Sequence, residues 1–298
     1  MKVLNFGSLN LDYVYQMDHI VIPGETQAAK SRNTFCGGKG LNQSIALAKA
    51  GVPVYHAGLI GEGGDALLAM CKENGVNAEH IRQIPGPCGH TVIQVDENGQ
   101  NCILLFGGSN RSMTREFVDS VLASFGEGDM ILLQNEINEL AYIIDKAYEK
   151  GMMIVLNPSP FDSELDSCDL SKVSLFLVNE IEGFQITGEK DPDAILAKMR
   201  DIYPKAKLVL TLGEKGSVYQ DETGIYHQDI FPVKAVDTTA AGDTFTGYFL
   251  TSVIEGLPVE QGLQLAAKAS SIAVTRPGAT SSIPLRAEVE QWKPDEKA

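Results

Sequence analysis

Short apolar runs recur along this chain, and helix-length segments stand between them. Residues 3–6, 54–60, 130–133, 153–156, 175–178 and 208–212 are apolar runs of strand length. Helical stretches at 44–49, 65–74 and 140–150 each end at a glycine: Gly51, Gly75 and Gly151. Glycine suits the position just past a helix, where φ is positive. Runs this apolar must be covered on both faces. Strands alternating with helices therefore predict an α/β fold, a mainly parallel sheet with helices on both sides.

Two segments break the alternation. Residues 12–36 are mixed in character and contain Pro23-Gly24. Residues 90–106 read as a hairpin that turns at Asp96-Glu97-Asn98-Gly99. Together they predict a small β-sheet lid inserted into an α/β body made of residues 1–11, 37–89 and 107–298. The chain has no internal repeat, linker or low-complexity tract.

With 298 residues, 44% of them hydrophobic, the chain can bury a core without disulfides or structural metals. Lysine and arginine number 24 against 39 aspartates and glutamates, a net charge of −15. That balance argues against nucleic acid and anionic membranes as partners. It also means that any bound phosphate must be held locally, by backbone amides and a metal. The five cysteines include no Cys-x-x-Cys pair, and no stretch reaches the length of a membrane span or signal peptide. A cytoplasmic protein without disulfides is the expectation.

Three glycine-rich segments are candidates for phosphate. Gly61-Glu62-Gly63-Gly64-Asp65-Ala66 fits a loose dinucleotide pattern, but it follows a later strand than that pattern normally does, and a plain tight turn explains it better. Phe35-Cys36-Gly37-Gly38-Lys39-Gly40-Leu41-Asn42-Gln43 opens a helix. Its glycines would let a ligand approach the backbone, and Lys39 and Asn42 share a helix face. A glycine turn with a solvated lysine is the plain alternative. The third, Val236-Asp237-Thr238-Thr239-Ala240-Ala241-Gly242-Asp243-Thr244-Phe245, is the most informative. Phe245, Phe249 and Val253 mark the buried face of a helix closed by Gly256. Thr238 or Thr239 is the expected cap. Ala240, Ala241 and Gly242 leave the first amides bare, and bare amides with the helix dipole make an anion site. Asp243 then stands in the first turn beside that site.

Asp237 to Phe245 and Gly37 to Gln43 resemble the two signatures of the ribokinase-like (PfkB) carbohydrate kinases, and Gly7-Ser8-Leu9-Asn10-Leu11-Asp12 is similar to their opening sugar-binding turn. The resemblance runs through the whole chain in order. It implies transfer of the ATP γ-phosphoryl group to a sugar primary hydroxyl, with D-ribose the first choice of acceptor. It also implies a homodimer formed through the lid. By the same resemblance Asp243 is the base, and Ala241 and Gly242 hold the transferred group. Asn10, Asp12, Gly38, Lys39, Asn42 and Glu136 contact the sugar. Asn179, Thr211, Gly213 and Gly216, together with Ala241 and Gly242, contact the nucleotide. Asn179 and Glu182 match an Asn-x-x-Glu motif that, by this resemblance, organises Mg2+ through water. Asp237, Thr239, Ala273, Gly278 and Ser282 fall where the family holds K+. Taken alone, Asn179 and Glu182 read more readily as a helix cap, and the functional reading rests on the resemblance.

Leu41, Cys36 and Asn135 depart from the family's usual residues near the sugar site. Fructose, another pentose or a nucleoside such as pseudouridine are the alternative acceptors, although no apolar wall for a base is visible. An NAD-dependent dehydrogenase using Gly61 to Ala66 and a non-catalytic sugar-binding protein are the readings from other classes.

Overall fold

The computed structural model describes residues 1–293; the last five residues of the expected body, 294–298, lie outside them. The strands in chain order begin with β1 Val3–Phe6, β2 Asn10–Gln16, β3 Ser31–Gly37, β4 Val54–Glu62, β5 Asn77–Pro87, β6 Gly89–Val95 and β7 Asn101–Phe106. They continue as β8 Met130–Gln134, β9 Met153–Asn157, β10 Leu175–Asn179, β11 Lys207–Thr211, β12 Ser217–Gln220 and β13 Ile225–Gln228. The first helices are α1 Lys39–Lys49, α2 Asp65–Glu73, α3 Arg115–Leu122, α4 Leu140–Glu149 and α5 Glu180–Thr187. After them come α6 Pro192–Ile202, α7 Ala241–Glu255, α8 Val259–Val274 and α9 Arg286–Gln291.

Nine strands form one sheet in the order β13-β12-β11-β10-β9-β8-β1-β4-β5. It is parallel from β5 to β11, and β12 and β13 add antiparallel at one edge. Alternate residues of one strand face opposite cores. Val3 packs with α1, α7 and α8, through residues such as Ile45, Phe249 and Leu263. Leu4 and Phe6 pack on the other side with α3, α4 and α6, through Phe117, Ile143 and Ile195. The α/β class expected from the alternation is the observed one. Four further strands form a separate sheet in the order β3-β2-β6-β7, in which β6 and β7 are the hairpin expected at 90–106.

The sequence reading passed over β5, β12, β13 and α3. β5 (Asn77–Pro87) is the edge strand beside β4, mixed in composition and only partly buried, so no apolar run marks it. β12 and β13 are four residues each, and β13 is half-exposed at the other edge.

Two features of the fold position the site. Strands β8, β9 and β10 each end on an amide, at Gln134, Asn157 and Asn179, and register sets Gln134 against Asn157. Helices α1 and α7 cross closely. A Cβ on Gly247 would lie 2.4 Å from Ala46 Cβ and 2.8 Å from its backbone carbon, so the crossing needs a residue without a side chain. One turn back toward both helix starts, that approach puts Asn42 and Gln43 beside Asp243.

Candidate active site

Helix α7 starts differently from the expectation. Its N-cap is Ala240, in the left-handed region at φ 59°, and no side chain caps it. Thr238 and Thr239 are used elsewhere: the Thr238 carbonyl accepts from Ala241 N at 3.2 Å, and Thr239 N donates to Asp237 Oδ1 at 2.9 Å. The threonine cap is therefore corrected, because the left-handed turn at Ala240 places both threonines ahead of the cap. The consequence strengthens the anion-site argument, since orphan amides remain at the helix start. A Cβ on Gly242 would meet nothing within 4 Å, so this backbone borders open space.

Asp243 stands in that first turn and is only 7% exposed. Each carboxylate oxygen accepts from one amide: Oδ2 from Asn42 Nδ2 at 3.0 Å, Oδ1 from Gln43 Nε2 at 2.9 Å. Both donors are neutral, so the carboxylate is oriented without an ion-pair partner in contact. Asn42 Oδ1 is buried and has no partner among the described residues, an unused acceptor beside Asp243.

The candidate sugar residues converge from four elements. Asn10 and Asp12 lie on β2, opposite Gly37 and Phe35 of β3. A Cβ on Gly37 would lie 1.9 Å from Asp12 Oδ2. Gly38, at φ +95°, would with a Cβ crowd Ser8 Oγ at 3.1 Å and Asn10 Nδ2 at 3.3 Å. These glycines are required by close approach. Asp12 Oδ1 accepts from Thr91 Oγ1 at 2.6 Å. Burial pushes the Asp12 carboxyl above its ordinary range, and the Thr91 hydroxyl draws it partly back. Glu136 Oε2 accepts from Ser8 Oγ and from Lys39 N, the latter at 3.0 Å. Burial raises its carboxyl as well, against the pull of Ser8 and Lys39. Burial also opposes the Lys39 ammonium, but the charges of Asp243, Glu136 and Glu182 outweigh it and hold its pKa above the usual lysine value.

Two clefts meet at α7. One of about 250 Å³ is lined by Lys39, Asn157, Asn179, Glu182, Gly242 and Asp243, among others. The other, about 610 Å³, is lined by Thr211, Gly213 and Gly216 on one side and by Phe231, Ala267 and Ser270 on another. Thr211, Thr238, Ala241 and Gly242 border both. Glu214 and Gly216 belong to the turn between β11 and β12, and Gly216 is another required glycine, with a Cβ position 2.0 Å from Gln228 O.

Asn179 and Glu182 are a helix cap and also cleft residues. Asn179 Oδ1 accepts from Glu182 N at 2.9 Å, and Glu182 Oε2 accepts from Asn179 N at 3.1 Å, a complete capping box at the start of α5. Asn179 Nδ2 donates to Glu182 Oε1 at 3.1 Å. With these atoms engaged in the cap, Asn179 and Glu182 would hold a Mg2+ through water rather than by direct contact. Among the described residues no three His, Cys, Asp or Glu side chains gather as a metal site. Hard oxygen donors suit this ion in either case.

The residues proposed for a monovalent cation are partly assembled. Asp237 Oδ1 and Oδ2 accept from Thr239 N and Gly278 N, each at 2.9 Å, so one carboxylate ties the two loops together. Those bonds outweigh burial and keep its pKa low. Ser282 Oγ donates to Ala279 O at 2.8 Å, and Ala273 lies in the last turn of α8. Carbonyls, a carboxylate and a hydroxyl are the donor set that a K+ ion takes. The Gly61 to Ala66 segment, by contrast, borders neither cleft. A Cβ on Gly61 would lie 2.4 Å from Gly86 O, and one on Gly64 would lie 2.7 Å from Ile60 Cβ. Packing accounts for those glycines.

Gln43, Ser8, Asn110, Gln134 and Asn157 were not singled out by sequence reasoning. Asn110 accepts from Leu9 N at 3.0 Å and donates to Asn10 Oδ1 at 2.7 Å, which turns the Asn10 amide nitrogen toward Gly38. The signal for Gln134, Asn157 and Asn179 was present: each is the polar residue that ends an apolar strand.

Comparison with known proteins agrees with this geometry. The chain matches the pfkB family carbohydrate kinase pattern over residues 1–286. It is 32% identical to a ribokinase of Schizosaccharomyces pombe, over 97% of each chain. It is 30% identical to a deoxyribokinase of Salmonella typhi, over 98% of this chain and 97% of that one. A solved ribokinase of Arabidopsis thaliana, complexed with ribose and ATP, superposes with a TM-score of 0.85 at 29% identity, covering 97% of each. This chain belongs to the pfkB family of carbohydrate kinases and is a sugar kinase.

Proposed function

We propose that the protein transfers the γ-phosphoryl group of ATP to the primary hydroxyl of D-ribose, giving ribose 5-phosphate. The observation that carries the chemistry is Asp243, a buried carboxylate held by two amides at the start of an uncapped helix. The sugar assignment is supported by full-length relatives named ribokinase, one of them solved with ribose and ATP.

ATP would lie in the larger cleft, with its phosphates reaching the start of α7 at Ala241 and Gly242. The sugar would sit among Asn10, Asp12, Gly38, Lys39, Asn42 and Glu136, with its primary hydroxyl against Asp243. Asp243 takes the hydroxyl proton as the new O–P bond forms and ADP departs. Phosphoryl transfer needs positioning and charge neutralisation above all, and helix amides supply fixed donors for the developing charge. A magnesium ion, when bound, neutralises the phosphates. The Lys39 ammonium adds a fixed positive charge near the reacting groups. Loops tied by Asp237 would hold K+ behind the helix start.

The small sheet acts in this reading as a lid that excludes water, and as a dimer surface. β7 is exposed along its length, and Ile103, Leu104, Leu105 and Phe106 are 57, 68, 41 and 48% exposed. An apolar edge of that kind asks for cover. The reading places the enzyme in the cytoplasm, where ATP is available and the five free cysteines stay reduced.

ADP release with MgATP and K+ tests the proposal, across D-ribose, 2-deoxy-D-ribose, fructose and a set of nucleosides. Turnover highest on D-ribose is expected. Preference for 2-deoxyribose or a nucleoside by tenfold or more would move the acceptor and leave the kinase chemistry standing.

A further inference from the structure

Beneath Asp243 runs a chain of buried amides whose direction is set at both ends by backbone. Asn5 Nδ2 donates to Gly40 O at 2.7 Å. A carbonyl only accepts, so the Asn5 amide cannot be reversed, and its oxygen is left to accept from Gln134 Nε2 at 3.1 Å. The same Gln134 nitrogen donates to Gln43 Oε1 at 2.7 Å. That fixes Gln43 with its nitrogen toward Asp243 Oδ1 at 2.9 Å and Asn157 Oδ1 at 3.1 Å. At the far end Asn157 Nδ2 donates to Leu177 O at 3.0 Å, again a group that only accepts. Asn5, Gln43 and Gln134 are fully buried, so water cannot replace a lost partner.

We propose that Gln43 is the positioning residue of the catalytic base, with its one amide nitrogen divided between Asp243 and Asn157. This rests on Asp243 being that base. Asn42 donates to the other oxygen of Asp243 and, in the proposed reading, keeps its own unpartnered oxygen for the sugar. Gln43 has no such second duty. Among the described residues its side-chain polar atoms bond only to Gln134, Asp243 and Asn157. The carboxylate needs a fixed plane to receive a proton from a hydroxyl on its open side, and a misplacement of about 1 Å can cost about a hundredfold in rate. The amide chain holds that plane, and it does so through polarity that packing alone would not supply.

The test compares Gln43→Met and Gln43→Glu with wild type and with Asp243→Asn. Met keeps the length and removes all three hydrogen bonds of the side chain. Glu keeps the shape and turns the shared donor into an acceptor facing two acceptors. Expected for Met is a kcat loss of about 10- to 100-fold with the KM for sugar changed less than threefold, and for Glu a larger loss in kcat. Sugar affinity without nucleotide, read by calorimetry, stays within threefold in both. A kcat within twofold of wild type in the Met variant, with Asp243→Asn inactive, overturns the role of Gln43 and leaves the base in place. Activity retained in Asp243→Asn would instead remove the base itself. A loss seen equally in KM and kcat would show Gln43 to be a packing residue and would also overturn the inference. Should both Gln43 variants fail to fold, Gln134→Met removes the partner that orients the Gln43 amide. A three- to tenfold kcat loss at constant KM is then expected, and an unchanged kcat refutes the proposal.

Discussion

Asn42 and Asp243 are 201 residues apart in the chain, and Asn42 Nδ2 meets Asp243 Oδ2 at 3.0 Å. The contact exists because α1 and α7 cross where Gly247 lies against Ala46. Neither signature of the sequence is a site by itself. One brings the amides and the other brings the carboxylate and the bare helix start, and the crossing joins them.

The crossing can be tested at its narrowest point. Gly247→Ala adds a methyl whose carbon would lie 2.4 Å from Ala46 Cβ and 2.8 Å from backbone on either side of the next peptide bond. Backbone cannot yield as a flexible side chain can, so the helices must part. Overpacking of this kind costs about 1–3 kcal/mol. Urea unfolding should show that loss, and kcat should fall with it, because Asn42 and Gln43 are carried away from Asp243. Stability and kcat both unchanged would mean that the crossing is compliant.

Asp243→Asn keeps the shape and removes the proton acceptor. Proton transfer by a placed side chain is worth about 100- to 10,000-fold. A fall in kcat of that size is expected, with sugar affinity within a few-fold of wild type, because the role belongs to the transition state. Steady-state ADP release and calorimetry with sugar together check it. Near-normal turnover would remove Asp243 from the mechanism.

Much of this was readable from residues alone, for reasons that differ along the chain. The α/β class followed from runs such as 130–133 and 153–156, which are buried on both faces and so cannot alternate. Edge elements carried no such mark: β5 borders one strand only, and its mixed sequence is what an edge tolerates. The helix at Asp243 was legible from the spacing of Phe245 and Phe249. Its cap was not, because a left-handed alanine at 240 costs energy that local propensity disfavours, and only the surrounding fold holds it there. The amide chain through Asn5, Gln134 and Gln43 lies on three separate elements. Asn5 interrupts the apolar run of β1, Gln134 ends β8 and Gln43 lies in the first turns of α1, and their meeting depends on sheet register and the α1–α7 crossing.

Potassium dependence follows from the loops that Asp237 ties. Its two oxygens hold Thr239 N and Gly278 N at 2.9 Å, just ahead of the start of α7. An ion held by the surrounding carbonyls would fix the loop that presents Gly242. Rates should be several-fold higher in K+ than in Na+ or a bulky organic cation at equal ionic strength. Asp237→Ala should flatten that difference while lowering the rate in K+. Equal rates in all three salts would exclude a cation role for these loops.

The last prediction concerns acid. His56 is wholly buried, with Nδ1 2.8 Å from Ser44 Oγ and Nε2 3.3 Å from Gly7 O. Gly7 O only accepts, so Nε2 carries the proton and Nδ1 accepts from the Ser44 hydroxyl, which in turn receives Asn5 Nδ2 at 2.9 Å. A second proton on the ring would make Nδ1 a donor and force the Ser44 hydroxyl to turn its own proton away. Burial lowers the His56 pKa from 6.5 to about 4, against the opposing bond to Gly7. Between those values the unfolded chain binds a proton that the folded protein refuses. Stability contributed by neutral His56 is therefore complete above about pH 6.5 and is lost as pH falls toward about 4, a total of about 3 kcal/mol. His80, also lowered by burial, acts in the same direction. Urea unfolding of wild type and His56→Asn at pH 7 and pH 4.5 isolates the term. Asparagine offers a donor and an acceptor with no proton to gain, so the drop in stability between the two pH values should be smaller by about 2 kcal/mol in the variant. Equal drops in the two proteins would show that His56 takes up its proton in the folded state without cost.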